Sequence, residues 1–245
     1  MVPTTGPPGR VVSLVPSLTE AVAVTAPGLL VGATDYCTHP ADLDVARVGG
    51  SKYPRVEEVL ALGPDLVIAN EEENRREDVE ALRAAGVPVW VTAPRTVEQA
   101  LASLHKVFVV CHLDTPQWWR DGRSQWTSTS DRPRVTAVVP VWRRPWIALG
   151  RDTFAGDVLA HLGVDNVLAH HADRYPRLPL AELRRARPEL VVLPDEPYRF
   201  TAADGPEAFP GIRAALVSGR HLTWYGPSLA EARDVLTAQL YECQL

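Results

Sequence analysis

The octapeptide RVVSLVPS beginning at Arg10 returns as RVTAVVPV beginning at Arg134, 124 positions later. The same offset separates Pro64 from Pro188 and carries VEEVLALGPDLVIANEE (56–72) onto LAELRRARPELVVLPDE (180–196) without a gap. Glu58 meets Glu182, Leu66 meets Leu190, Val67 meets Val191 and Glu71 meets Asp195. Any α/β protein repeats the grammar of strand and helix, but grammar alone does not hold one register across two separated blocks. The chain therefore reads as an internal duplication with two similar lobes.

Each lobe reads as α/β. RVVSLVP and RVTAVVP are short apolar runs ended by proline, as buried strands are. RVEEVLAL and LAELRRA are amphipathic helices, stopped by turns at Gly63-Pro64 and Arg187-Pro188, and the continuous apolar runs DLVIA and ELVVL follow as strands. REDVEALRAAG is a helix closed by glycine, leading into the strand VPVWVT. Strands apolar on both faces imply mainly parallel sheets covered by helices, hence two Rossmann-like lobes.

Between the lobes, Thr96 and Gln99 form a capping box, and Val97, Leu101, Leu104 and Phe108 fall on one helical stripe. Asp114-Thr115-Pro116 reads as a stop and a new start, followed by a second helical stretch with Trp118, Trp119 and Trp126. The expected division is an N-terminal lobe over 1–95, a helical linker over 96–128 and a C-terminal lobe over 129–245. A helical connection of ~40 Å resists bending, so the lobes are expected at nearly fixed separation, with a ligand cleft between them.

Composition narrows the partners. A net charge of −5 argues against nucleic acid or an anionic membrane surface. No run approaches the roughly 18 apolar residues of a membrane span. The three cysteines, Cys37, Cys111 and Cys243, offer neither a disulfide framework nor a Cys-x-x-Cys knuckle and read as reduced thiols. The opening MVPTTGPPGR has no basic region, apolar core or lipidated cysteine, so the expectation is a cytoplasmic protein, periplasmic or cell-surface only if a leader was removed.

In open parallel sheets ligands sit beyond the carboxyl ends of the strands, which makes the residues just after each strand the site candidates. In the first lobe these are Ser17, Tyr36, Cys37, Glu71 and Asn74; in the second they are Trp142, Trp146, Tyr198, Trp224 and Tyr225. Tryptophan and tyrosine supply flat contact area with a polar handle, suited to a planar or macrocyclic ligand. Cys37 and His39 are a candidate metal pair, by direct ligation or as an axial ligand, whereas His170, His171 and Asp173 read as polar loop surface. No Gly-x-Gly-x-x-Gly follows the first strand, and phosphate-binding, His-Glu-x-x-His and Gly-x-Ser-x-Gly motifs are absent, so no enzyme is expected.

The order VVSLVPSLTEAV, VGATDYCTHP, VGG, VEEVLALGPDLVIA, helical linker and second α/β lobe resembles the class III substrate-binding proteins, the helical-backbone metal receptors, from about Arg10 to about Leu240. SLVPSLTE and LALGPDLVIA are most similar to the vitamin B12 branch. The resemblance implies a monomeric, non-catalytic receptor of an ABC importer that grips cobalamin, haem, an iron-siderophore or another metal chelate in a rigid cleft. It also implies one glutamate per lobe for docking to an ABC permease. The first is Glu57; the matching place in the second lobe holds Ala181, with Glu182 beside it. That departure points, with the N-terminal sequence, to a cytoplasmic relative. The alternatives are a bilobal enzyme using Glu71 and Asp195 across the cleft, and a cytoplasmic protein-interaction module.

Overall fold

The computed structural model describes residues 6–242; Cys243 and the first five residues, on which the leader expectation partly rests, lie outside the described residues. Contacts divide the chain into two compact units, one comprising 1–93, 101–119 and 225–227, the other 94–100, 120–224 and 228–245. The segment 96–128, expected as a separate linker, is thus shared between the units rather than forming a body of its own.

The first unit carries β1 (Val11–Ser13), α1 (Pro16–Thr25), β2 (Leu30–Ala33), β3 (Ala46–Arg47), α2 (Val56–Ala61), β4 (Leu66–Asn70), α3 (Arg76–Ala84) and β5 (Val89–Thr92). Its five strands lie in the order β3-β2-β1-β4-β5, all pairs parallel. β4 is buried on both faces, which is why its sequence is an unbroken apolar run rather than an alternating one. Val12, Leu14, Val59, Val67, Leu82 and their neighbours form the core of this unit. Gly86, at φ 85°, lets the chain turn out of α3.

Two helices follow, α4 (Val97–Val110) and α5 (Gln117–Gln125). Gln99 N donates to Thr96 Oγ1 (3.1 Å), while the Gln99 side chain accepts from Arg95 N (2.8 Å), one residue earlier than the reciprocal box pattern. The tryptophans of α5 are packing residues. Trp118 Nε1 donates to Thr25 Oγ1 (3.1 Å) and Trp119 Nε1 to the Leu101 carbonyl (3.0 Å), both inside the first unit. Trp126 Nε1 donates to the Leu229 carbonyl (3.0 Å) inside the second.

The second unit carries β6 (Val135–Val138), β7 (Pro140–Trp142), β8 (Ile147–Ala148), α6 (Phe154–His161), β9 (Val164–Asn166), α7 (Leu180–Arg185), β10 (Leu190–Pro194), β11 (Arg213–Val217), α8 (Gly219–Thr223) and α9 (Leu229–Tyr241). Its sheet runs β9-β6-β10-β11, all parallel, and β7-β8 is a separate antiparallel hairpin. The core holds Val138, Leu183, Val191, Leu193, Phe200 and Phe209.

The duplication is visible element by element. β1 and β6, α2 and α7, β4 and β10, and β5 and β11 each begin 124 residues apart, and the strand order of the second unit repeats β2-β1-β4-β5 of the first. The register is lost between them, because the second unit inserts the β7-β8 hairpin after its first strand while the first unit spends extra chain on β3 and its loop. The turns after α2 and α7 keep the same left-handed backbone, at Gly63 (φ 56°) and Arg187 (φ 49°). The arginines that open the repeat have different partners: Arg10 donates to the carbonyls just after α2, at Leu62 (2.6 Å) and Gly63 (3.2 Å), and Arg134 pairs with Asp165 of β9.

Candidate ligand-binding rims

Of the residues singled out by sequence, Tyr36, Cys37, Glu71, Asn74 and Tyr198 lie in loops after strands and Trp146 in the β7-β8 turn, whereas Ser17 is in α1, Trp142 ends β7, and Trp224 and Tyr225 follow α8; the structure sorts them into two groups. The first group is consumed internally. Asn70, closing β4, donates from Nδ2 to Tyr225 Oη (2.6 Å) and to Thr92 Oγ1 (3.3 Å), while its Oδ1 accepts from Glu72 N (2.7 Å). Asn74 accepts from Asn70 N (2.7 Å) and donates to the carbonyls of Leu14 (3.2 Å) and Ser51 (2.9 Å). Tyr225 is 4% exposed, and burial drives its phenol pKa upward, so it remains a neutral donor. Ser17, in the first turn of α1, is buried as well. Asn74, Tyr225 and Ser17 were expected to touch ligand; here they belong to the packing of the first unit, with Glu71 exposed beside them.

Cys37 requires a correction. Its Sγ is fully buried, 3.1 Å from Thr19 Oγ1 and 3.2 Å from Thr34 Oγ1, and desolvation raises its pKa despite those hydrogen bonds. Metal ligation needs a reachable thiolate, and this environment disfavours one. His39 Nδ1 lies 3.1 Å from Thr38 Oγ1, and among the described residues no group of three or more His, Cys, Asp or Glu side chains is arranged to hold a metal ion. The Cys37–His39 pair is therefore not a metal centre in this structure.

The second group is presented outward. In the first unit, Tyr36 after β2 is 66% exposed and Tyr53 after β3 is 70% exposed, with the Arg75 guanidinium 4.6 Å from the Tyr53 ring centre. Tyr53 was missed by sequence reasoning; the only signal is its place behind VGG at the edge of the sheet. In the second unit the β7-β8 turn, Trp142–Trp146, meets the loop after β10. Trp142 stands edge-on to Tyr198 at 5.7 Å, Tyr198 lies 4.7 Å from Phe200, and Trp146 stacks on Phe200 at 6.1 Å. Arg143 ties this wall together. Its guanidinium pairs with Asp204 and with Glu207 (2.6 Å) and lies 5.2 Å from the Trp146 ring centre, while Tyr198 Oη donates to Asp204 (2.6 Å). Arg143 falls inside the WRRPW stretch that the sequence offers as a site candidate, but its pairing with Asp204 and Glu207 carries no sequence signal. Tyr175, 41% exposed, lies in the segment after β9, two residues beyond the His170, His171 and Asp173 read as polar surface.

At the ends of β10 and β11, Asp195 accepts from Gly219 N (2.7 Å) and the Trp224 indole donates to the Glu196 carboxyl. Glu196 Oε1 is buried without a partner, and burial, reinforced by the Asp195 charge, raises the pKa of this acid. Glu57 and Glu182 stand exposed in the first turns of α2 and α7; the register pairs Glu182 with Glu58, leaving Ala181 opposite Glu57.

No family profile matches the chain. Among curated proteins it is 26% identical, over 76% of its own length and 70% of the relative's, to the vitamin B12-binding protein of Vibrio parahaemolyticus. Among solved structures it resembles the periplasmic vitamin B12-binding protein BtuF of Vibrio cholerae (TM-score 0.75, 21% identity, 96% of this chain and 97% of that one). It also resembles a periplasmic haem-binding protein of Pseudomonas aeruginosa (TM-score 0.76, 22% identity, 97% and 95%). The resemblance to class III binding proteins thus holds at the level of fold and of homology. Both structural neighbours are periplasmic, which overturns the cytoplasmic placement expected from the sequence.

Proposed function

We propose that this chain, a homologue of vitamin B12-binding proteins with the class III fold, is a non-catalytic receptor for a metal chelate, recognised by exposed aromatic rings that follow its strands. The observation that carries the reading is the distribution of its exposed aromatic rings. Among the described residues, the exposed Tyr and Trp side chains are Tyr36, Tyr53, Trp142 and Tyr175; Tyr36, Tyr53 and Tyr175 lie in the segments that follow β2, β3 and β9, and Trp142 ends β7, the hairpin strand that follows β6. A core has no use for rings placed there, and exposing them has a cost in water that a flat apolar ligand repays. The candidate ligands are cobalamin, haem and an iron-siderophore. The expected setting is outside the cytoplasmic membrane, with an ABC permease as partner and Glu57 and Glu182 as its docking residues.

The experiment is a titration of the purified chain with cyanocobalamin, hemin and a ferric siderophore, followed by visible absorption and thermal unfolding. A receptor shows a saturable band shift with one of them and a rise in Tm; binding at a hundred times Kd adds about 2.7 kcal/mol of stability. No shift and no stabilisation with any of the three would overturn the reading.

A further inference from the structure

We infer that the rim of the second unit is built for an anionic chelate, one carrying carboxylates or phenolates on a flat apolar body, and that Arg144, Arg177 and Arg199 are its charge-reading residues. This inference rests on the receptor reading above and narrows its ligand.

Arg144 and Arg177 border the aromatic wall, and Arg199 lies in the loop that carries Tyr198 and Phe200. Arg144 sits in the β7-β8 turn between Trp142 and Trp146, close enough to the Tyr198 phenol to act on it electrostatically. Arg199 follows Tyr198 directly. Arg177 bridges Ile147 of β8 through its backbone and, with Pro145, Trp146, Leu178 and Pro179, lines an open cavity of about 480 Å³. All three are exposed, and none of their side chains makes a hydrogen bond or an ion pair among the described residues.

Their freedom is the informative point. The neighbouring carboxylates are already engaged elsewhere. Asp204 is held by Arg143 and Tyr198, and Glu207 by Arg143 and by Gly205 N (2.5 Å), which lowers the pKa of Glu207. Arg143 is paired and its side chain is 15% exposed, whereas Arg144, Arg177 and Arg199 have no protein partner among the described residues. A chain of net charge −5 thus carries, on the loops that build one aromatic wall, three exposed arginines without a protein partner among the described residues. Arg144 in addition occupies a left-handed backbone position, φ 66°, where glycine is cheaper, so an arginine is kept there against a local preference. Guanidinium groups recognise carboxylates and phenolates by paired N–H donors, and an aromatic wall takes the flat body between them. Hemin, with two carboxylates, and ferric tris-catecholate, a trianion, offer that chemistry. Cyanocobalamin, fringed by neutral amides and without net charge, offers it far less.

The test measures Kd for hemin, ferric tris-catecholate and cyanocobalamin at low and high salt, for the wild type, Arg144→Gly, Arg199→Gln and Arg177→Gln. Arg144→Gly relieves the backbone, so it folds at least as well as the wild type, and thermal unfolding without ligand checks each variant. The expected result is preferred binding of one anionic chelate. That binding weakens about tenfold for each arginine that contacts it, as loss of one charge-assisted hydrogen bond implies, and weakens with salt. If cyanocobalamin binds as tightly or more tightly, and the variants and salt leave its affinity unchanged, this inference is overturned while the receptor reading stands. If none of the three chelates binds the wild type, the receptor reading fails and the inference falls with it.

Discussion

The hydroxyl of Tyr225 lies 2.6 Å from Asn70 Nδ2, a contact between residues 155 positions apart in the chain. Thr92 Oγ1 donates to the Ala69 carbonyl (3.1 Å) and accepts from Tyr225 Oη (2.8 Å), so each donor at this corner has a defined acceptor. The ends of β4 and β5 are thereby fastened to a segment that arrives after almost all of the second unit has been made.

Tyr225→Phe tests this fastening. It removes one donor and one acceptor from a buried network and leaves Asn70 Nδ2 short of a partner. A loss of about 1–3 kcal/mol follows, seen as a fall of roughly 3–10 °C in Tm for a chain of this size. Chelate affinity is expected to stay within about twofold. A tenfold weaker Kd with an unchanged Tm would return Tyr225 to the ligand-contacting residues.

Trp142 and Phe209 separate rim from core. Trp142 is 42% exposed and touches Tyr198 edge-on, whereas Phe209 is 1% exposed and packs against the edge of Trp146. Trp142→Ala is expected to change stability by under about 1 kcal/mol and to weaken chelate binding at least tenfold, which fluorescence or absorption titration reads. Phe209→Ala is expected to cost about 3–5 kcal/mol by opening a cavity, and denaturant unfolding reads it. Equal stability losses in the two variants would contradict this division.

The contrast also marks what the sequence could convey. The offset of 124 was legible because β1/β6, α2/α7, β4/β10 and β5/β11 keep one spacing, and β4 and β10, buried at every position, are both unbroken apolar runs. The β7-β8 hairpin was not legible, because it displaces the register only between two anchored blocks, and the first unit compensates with β3 and its loop. Sequence distance from a strand does not say which way a ring turns, and Trp224 and Tyr225, read as following a strand, follow α8 instead. Trp142 and Tyr225 look alike in composition and spacing; only a hydrogen-bond partner 155 residues away distinguishes them. Cys37 looked available to a metal because its burial and its contacts with Thr19 and Thr34 are not written in the sequence.

The duplicated turn allows a symmetrical experiment. Gly63 (φ 56°) and Arg187 (φ 49°) hold equivalent left-handed positions before Pro64 and Pro188. A side chain there costs roughly 1 kcal/mol, partly offset because glycine gains more freedom when unfolded. Nothing crowds the Cβ position of Gly63, so Gly63→Ala isolates the backbone cost at about 1 kcal/mol. Arg187→Gly is expected to be neutral or stabilising by up to about 1 kcal/mol. A clear loss of stability on Arg187→Gly, read by chemical denaturation, would mean that the Arg187 side chain contributes more than its backbone costs.

Glu196 supplies a pH dependence whose sign follows from its surroundings. Burial and the adjacent Asp195 raise the pKa of its carboxyl, against the Trp224 hydrogen bond and the Arg220 charge, which lower it. Below the unfolded-state pKa the acid is protonated in both states and imposes no penalty. As pH rises from that value to the raised folded-state value, the unfolded chain releases its proton first, so folding stability declines across the interval and then levels off. Glu196→Gln retains an acceptor for the Trp224 indole and cannot ionise. Its Tm relative to wild type is therefore expected to be higher at pH 7 than at pH 4, by a margin that thermal unfolding at the two pH values measures directly. A variant whose Tm difference is the same at both pH values would show that Glu196 ionises in the folded protein no less readily than in the unfolded chain.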